Sequence, residues 1–247
     1  MTRRLRFVGQ YHEADSIVSY LFEPESALDF QAGQYLRYTL PHPHSDARGA
    51  SRSFTIASAP SEPLVRLTTR FSTLPSTFKQ ALSSMALGTV VEASGPHGQF
   101  VYTHTDAPAV LIAGGIGITP FRSILGDLAA RQPQSSTTLL YSNASPEIPF
   151  RAFLDGLAPD WPALHVVYTV TRPTTEWQGT TGRIDAEFIQ HHVPDPSRHV
   201  YFVCGPNALV DSMRATLAEI GVDASRIKHE GFPGYEPVHA PASMAGR

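Results

Sequence analysis

Cysteine is almost absent from this sequence: Cys204 stands alone among 247 residues. That excludes a disulfide framework within the chain and a cluster held by four cysteines. An excess of one charge is lacking as well. Lys and Arg number 19 against 22 Asp and Glu, a net charge of −3, so no basic footprint for nucleic acid exists. Long hydrophobic runs are missing too. The longest, Ala109 to Ile118, covers about ten residues and holds three glycines, whereas a membrane helix needs roughly 20. The basic start, Met1-Thr2-Arg3-Arg4, has no apolar stretch behind it, so no secretory signal is expected and a cytoplasmic location is. No Gly-x-Ser-x-Gly elbow of a serine hydrolase occurs. His42-x-His44 and His191-His192 have no acidic or cysteine partners at ligand spacing, so no metal site is expected. What is present is a packed-protein composition, 42% hydrophobic, at a length suited to two domains.

The chain changes character near residue 105. Before it, Leu5–Tyr11, Ser16–Phe22, Gln34–Leu40, Arg52–Ala57, Val65–Phe71 and Thr89–Ala93 are short segments rich in β-branched and aromatic residues. Turn-forming Gly, Pro, Ser and Asp separate them, which predicts a small antiparallel barrel. One stretch inside it, Ser76–Leu87, reads as helix. After residue 107, continuous apolar strands alternate with helical stripes. Strands are expected at Val110–Ala113, Thr138–Tyr141, His165–Val170, Val200–Cys204 and near Ile227. Helices are expected after Pro120 and at Phe150–Leu157, Ala186–His191 and Leu209–Ile220. Unbroken apolar strands alternating with helices mean a parallel sheet covered on both faces. The boundaries expected are 1–104 for the barrel, 105–235 for the α/β half, and 236–247 for a mobile Pro/Ala/Gly-rich tail.

Chemistry concentrates in a few places. Gly114-Gly115-Ile116-Gly117-Ile118-Thr119-Pro120 joins the first parallel strand to its helix, with Thr119 placed as N-cap and Pro120 as first helical residue. Glycines admit a pyrophosphate to the backbone, and a helix N-terminus favours anions. The bland alternative is a glycine-rich turn that only permits tight packing. Pro120 stands where a dinucleotide fingerprint has its third glycine, and Tyr141-Ser142-Asn143 stands where an acidic ribose reader would be. In the barrel half, Arg52-Ser53-Phe54-Thr55 sets a cation, an aromatic and two hydroxyls on a short strand. Ser76 reads as the N-cap of the barrel helix, with Thr77 beside it.

Taken in order, these pieces resemble a known family. Ala32-Gly33-Gln34-Tyr35, Arg52-x-Phe54-Thr55-x-x-Ser58, Gly95-Pro96-x-Gly98-x-Phe100, Gly114-Gly115-x-Gly117-x-Thr119-Pro120, Cys204-Gly205-Pro206 and Glu230-x-Phe232 follow the sequence of motifs of the ferredoxin–NADP reductase superfamily. The chain resembles its stand-alone form, without a fused ferredoxin, over residues 5–235. The resemblance implies an N-terminal antiparallel Greek-key β-barrel that binds FAD and a C-terminal, doubly wound, Rossmann-like domain for NAD(P)H. Arg52 would bind the flavin pyrophosphate, Phe54 would flank the flavin where Tyr is commoner, and Thr55 would approach flavin N5. Ser53, Thr69, Arg70, Ser76 and Thr77 complete the expected flavin contacts. Gly114, Gly115, Gly117, Thr119 and Pro120 would cradle the nicotinamide cofactor. Ser142, Asn143, Thr171 and Arg172 would meet its adenosine half, with Arg172 a candidate for a 2′-phosphate. Cys204, Gly205 and Pro206 would lie near the nicotinamide, and Glu230 and Phe232 would close over the flavin. Thr55, Cys204, Glu230 and Phe232 are the expected catalytic set. The implied activity is hydride transfer from NAD(P)H to FAD, then electron transfer to a separate ferredoxin or oxygenase component. Two other readings stay open: reduction of free flavin, quinone or ferric chelates without a protein partner, and a flavin-binding module without turnover.

Overall fold

A computed structural model describes residues 2–102, 107–131 and 136–232. The expected boundary between 104 and 105, and the expected tail at 236–247, lie outside the described residues.

The first half is one antiparallel sheet: β1 (Thr2–Ala14), β2 (Ile17–Pro24), β3 (Tyr35–Thr39), β4 (Ser51–Thr55), β5 (Val65–Arg70) and β6 (Val90–His97), in the order β4-β3-β6-β1-β2-β5. It curls because alternate residues face one apolar interior. Leu5, Tyr20, Phe22, Leu36 and Tyr38 are all essentially inaccessible. The two edge strands meet only at a single bridge, Ile56 to Leu67, reinforced by Ala57 N–H donating to the Arg66 carbonyl at 2.8 Å. Above that bridge β4 and β5 remain unpaired with each other. Helix α1 (Thr77–Ser83) sits beside the gap with Phe78 and Leu82 buried in the interior. Full burial of Phe78 contributes about 2–3 kcal/mol. Ser76 caps α1 as expected, accepting from the Lys79 amide, but the helix ends well before Leu87.

The second half is a parallel sheet: β7 (Ala109–Gly114), β8 (Thr137–Asn143), β9 (Leu164–Val170), the two-residue β10 (Thr180–Thr181), β11 (Val200–Pro206) and β12 (Ile227–Phe232), in the order β10-β9-β8-β7-β11-β12. Helices α2 (Thr119–Ala130), α3 (Arg151–Asp155), α4 (Ala186–His192) and α5 (Asn207–Glu219) cover it. All six residues of β7 are buried. Side chains of β7 pack into two separate apolar clusters, one around Phe121 and one around Val210, as a sheet covered on both faces requires. Strand order reverses at β7, with β8 on one side and β11 on the other. That reversal opens a crevice at the carboxyl ends of β7 and β11.

One expectation is corrected here. Thr119 is not an N-cap. Residues Gly115–Ile118 wind as a 3₁₀ turn that runs directly into α2, so Ile118 takes the cap position without a side-chain bond. Thr119 already lies inside the helical path, and its hydroxyl donates back to the Ile116 carbonyl at 3.1 Å. Pro120 does sit in the first turn.

Helix α2 also joins the halves. Arg122, 5% exposed, donates to the Ala57 carbonyl at 3.1 Å and pairs with the Glu62 carboxylate. Its guanidinium lies 4.3 Å from the Phe153 ring centre. Next to it, the Ser123 hydroxyl donates to the Ser58 carbonyl at 2.7 Å. The segment just after β4 is thereby fastened to the helix that begins at the glycine loop.

Candidate active site

A cleft of about 600 Å³ lies between the open edge of the barrel and the carboxyl end of the parallel sheet. Strand β4 supplies Arg52, Ser53, Phe54 and Thr55 to one wall; the segment around α1 adds Ser76 and Lys79. The opposite wall carries Ile116 and Thr119 from the glycine loop and Glu230, Gly231 and Phe232 from β12. Residues far apart in sequence thus converge where the two sheets approach.

Each wall follows from local structure. Phe54 turns its ring toward the barrel, 5.8 Å from Phe78 and 6.0 Å from Tyr38, and still lines the cleft. Thr55, 7% exposed, ends β4 where the chain leaves the sheet for the Ile56 bridge. Glu230 and Phe232 are two apart on a strand and both reach the cleft, as period-two geometry dictates. Burial pushes the Glu230 carboxyl up to about 7, and its Oε2 has no hydrogen-bond partner among the described residues. An acid in that state holds or releases a proton near neutrality.

The glycine loop divides its labour. A Cβ on Gly117 would strike the Cys204 carbonyl and come within 2.6 Å of Gly205 Cα, so Gly117 serves the packing of the β7 and β11 loops against each other. Gly205 is likewise pressed against Gly114, with Gly114 N and Cα at 3.3 Å from its would-be Cβ. Gly115 differs. Its φ is +52°, and a Cβ there would meet nothing within 4 Å, so its backbone borders open space. The Tyr141 hydroxyl holds its carbonyl at 3.0 Å.

Other expected residues fall elsewhere. Cys204 is fully buried in the core cluster, beside Ala113 on β7 and Glu230 on β12. Burial, then the neighbouring Glu230, push its thiol well up. Thr69 is fully buried, and it is Thr68 that reaches the cleft. Arg70 gives its carbonyl to Lys79 Nζ at 2.6 Å. Thr77 is not among the cleft-lining residues; its hydroxyl lies 3.0 Å from His42 Nε2. Ser142 and Asn143 end β8, and exposed Thr171 and Arg172 follow β9, their amides bonding back to the Asn143 and Ala144 carbonyls. Gly205 and Pro206 end β11 beside Gly231 and Phe232. Sequence reasoning missed Tyr35, Arg48, Thr68, Ser72, Leu74 and Lys79 as cleft residues. Of these only Tyr35 belongs to one of the family-like motifs, directly after Gly33-Gln34.

Known proteins share this geometry. Residues 111–215 match the model of the oxidoreductase NAD-binding domain. The NADH-cytochrome b5 reductase 1 of Mortierella alpina is 26% identical over 230 residues, covering 90% of this chain and 76% of its own. Alignments to several other fungal proteins of that name span about half of their length. The flavohem-like FAD/NAD binding domain of nitric oxide dioxygenase from Vibrio cholerae O1 biovar El Tor superposes with a TM-score of 0.83 at 22% identity, covering 93% of this chain and 98% of that one. A ferredoxin NADP+ reductase from Neisseria gonorrhoeae with bound FAD and NADP gives 0.78 at 19%, over 93% and 98%. The chain shares the fold of these reductase structures, and residues 111–215 resemble an oxidoreductase NAD-binding domain. The expected pairing of an antiparallel barrel with a parallel α/β half is the reductase fold found here. An oxidoreductase that uses FAD and a nicotinamide nucleotide agrees with these likenesses. No helix among the described residues is long and apolar enough to cross a membrane.

Proposed function

We propose that this reductase carries FAD along the barrel wall of the cleft, takes NAD(P)H at the carboxyl edge of the parallel sheet, and passes electrons to a separate redox protein. A cytochrome b5-like, ferredoxin or oxygenase partner fits the acceptor role. The observation that carries the reading is the meeting of β4 and β12 across one cleft: Thr55 on one wall, Glu230 and Phe232 on the other. The residues present fit a flavin dinucleotide. Two buried polar atoms at this cleft, Arg52 Nε and Glu230 Oε2, have no protein partner among the described residues, and Phe54 and Phe232 supply flat apolar faces.

When bound, FAD supplies the redox chemistry, accepting a hydride from the nicotinamide and releasing electrons onward. The chain's own groups bind and orient. Arg52 offers a charge-assisted donor to the pyrophosphate. The Thr55 hydroxyl would offer a polar atom to the flavin ring. Phe232 would cover the ring and exclude water. Glu230, raised to about 7 by burial, would hold or release a proton near the ring around neutral pH. Gly115 presents bare backbone to the nicotinamide cofactor, and Ser142, Asn143, Thr171 and Arg172 stand at its adenosine end. Cys204 lies one layer behind, backing Gly117.

The test is direct. Purified protein is expected to be yellow and to bleach anaerobically on addition of NADH or NADPH. A colourless protein that takes up no FAD, or a yellow one that neither nucleotide reduces, refutes the reading. Turnover with and without added cytochrome b5 or ferredoxin then names the acceptor class.

A further inference from the structure

Two side chains expected at the flavin phosphates, Arg52 and Thr77, are held by one short segment between β3 and β4. His42 lies with Nδ1 2.7 Å from the Leu40 carbonyl, which fixes the proton of the neutral ring there. Its Nε2 therefore accepts from the Thr77 hydroxyl at 3.0 Å. The same hydroxyl accepts from the Asp46 amide at 3.3 Å, so it is used on both sides. The Asp46 side chain turns the other way, and its Oδ1 accepts from Arg52 Nη2 at 2.6 Å.

The guanidinium is spoken for on almost every edge. Its Nη1 faces the carbonyls of Arg48, Gly49 and Ser51 at 3.2, 2.7 and 2.8 Å. Only Nε is buried without a partner. Asp46 is itself set in place, with the Arg48 amide donating to Oδ1 at 2.9 Å and Arg48 Nη2 reaching Oδ2 at 3.2 Å. The Arg48 amide first, and the two guanidinium groups after it, hold the carboxyl down to about 2, so it is ionised at any working pH.

An arginine grips a phosphate best through two adjacent N–H groups. With Nη1 fixed by three carbonyls, the edge left for an anion is Nε with Nη2. Asp46 sits on Nη2. A phosphate on the same edge and a carboxylate on Nη2 would be like charges in near contact, which repel. We propose that residues 42–49 form a strap whose Asp46 carboxylate stands in for the pyrophosphate at Arg52, so that cofactor binding exchanges one anion for the other. Asp46 then lowers the affinity for FAD, and His42 pins the strap through Thr77. This rests on the flavin reading above. An Asp46 that merely orients Arg52 would have the opposite sign.

The experiment titrates full-length protein, stripped of flavin, with FAD and with riboflavin, which lacks phosphates, following flavin fluorescence. Asp46→Asn should bind FAD about tenfold more tightly than wild type, with riboflavin binding unchanged. His42→Ala should tighten FAD by a smaller factor, about two- to threefold, and it carries the test if Asp46→Asn does not fold. Weaker or unchanged FAD binding in these variants overturns the strap, as does an equal gain for riboflavin. A wild type with no saturable FAD binding overturns the flavoprotein reading instead, a result distinct from either.

Discussion

The two walls of the cleft are built by different means. The barrel wall is made of side chains: Arg52, Thr55, Ser76 and Lys79 line the space from strands and turns. The sheet wall sets Ile116, Thr119, Glu230 and Phe232 on a close-packed backbone frame, where the loops after β7 and β11 press so closely that Gly117 has no room for a methyl group. Substitutions of cleft side chains should therefore change affinity or rate. Substitutions in the glycine frame behind the second wall should act through the fold.

The sharpest way to break that contrast is Gly117→Ala. Its Cβ would press into Cys204 and Gly205 backbone that cannot yield as a flexible side chain would. We expect a loss of about 3 kcal/mol or more, a melting temperature lower by roughly 6–12 °C. A variant as stable as wild type would remove the packing role. Next in size is Arg52→Ala, expected to lose FAD during purification, with affinity down about 10- to 100-fold. Full FAD occupancy after purification would count against Arg52 as the pyrophosphate ligand. Thr55→Val should keep its yellow colour but slow anaerobic reduction about tenfold in stopped flow.

Glu230→Gln sharpens the comparison from the sheet side. The Glu230 carboxyl titrates near 7 in the folded chain against an ordinary value of 4.5. The folded state holds its proton through that window while the unfolded state releases it, so stability falls as pH rises from about 4.5 to 7. Relative to wild type, Glu230→Gln should gain up to about 3 kcal/mol at pH 8 over its standing at pH 4. Parallel melting curves across that range would mean that Glu230 is solvated. The smallest effect expected is that of Phe232→Ala: FAD retained, KM for the nicotinamide cofactor shifted about threefold, and faster oxygen consumption as the ring is uncovered.

Legibility in the sequence followed the same divide. β7 could be read because a strand buried on both faces must be apolar throughout, as Val110-Leu111-Ile112-Ala113 is. Strand β4 was legible from its alternation, and Glu230 and Phe232 were marked by the family resemblance, with period two putting both on one face. Helix ends were not. Thr119 has the right residue type for a cap, yet the turn before it is already wound, a tertiary outcome set by the tight meeting with Cys204 and Gly205. Lys79 and Thr68 carry no pattern of their own, and Tyr35, though part of a motif, gave no sign of its place in the cleft, which all three line. Asp46 sits in a polar turn that any surface loop could contain, and its tie to Arg52 exists only in three dimensions.

The seam at Arg122 has a mechanical consequence. A cation wedged between the Ala57 carbonyl, the Glu62 carboxylate and the Phe153 ring, with Ser123 stitched to Ser58 alongside, leaves the halves no free hinge at the back of the cleft. The width of the cleft is thus fixed at its back by contacts made when the chain folds. It also makes melting a shared event. Heating should give one calorimetric peak for the whole chain, and loosening Arg122 should split it into two.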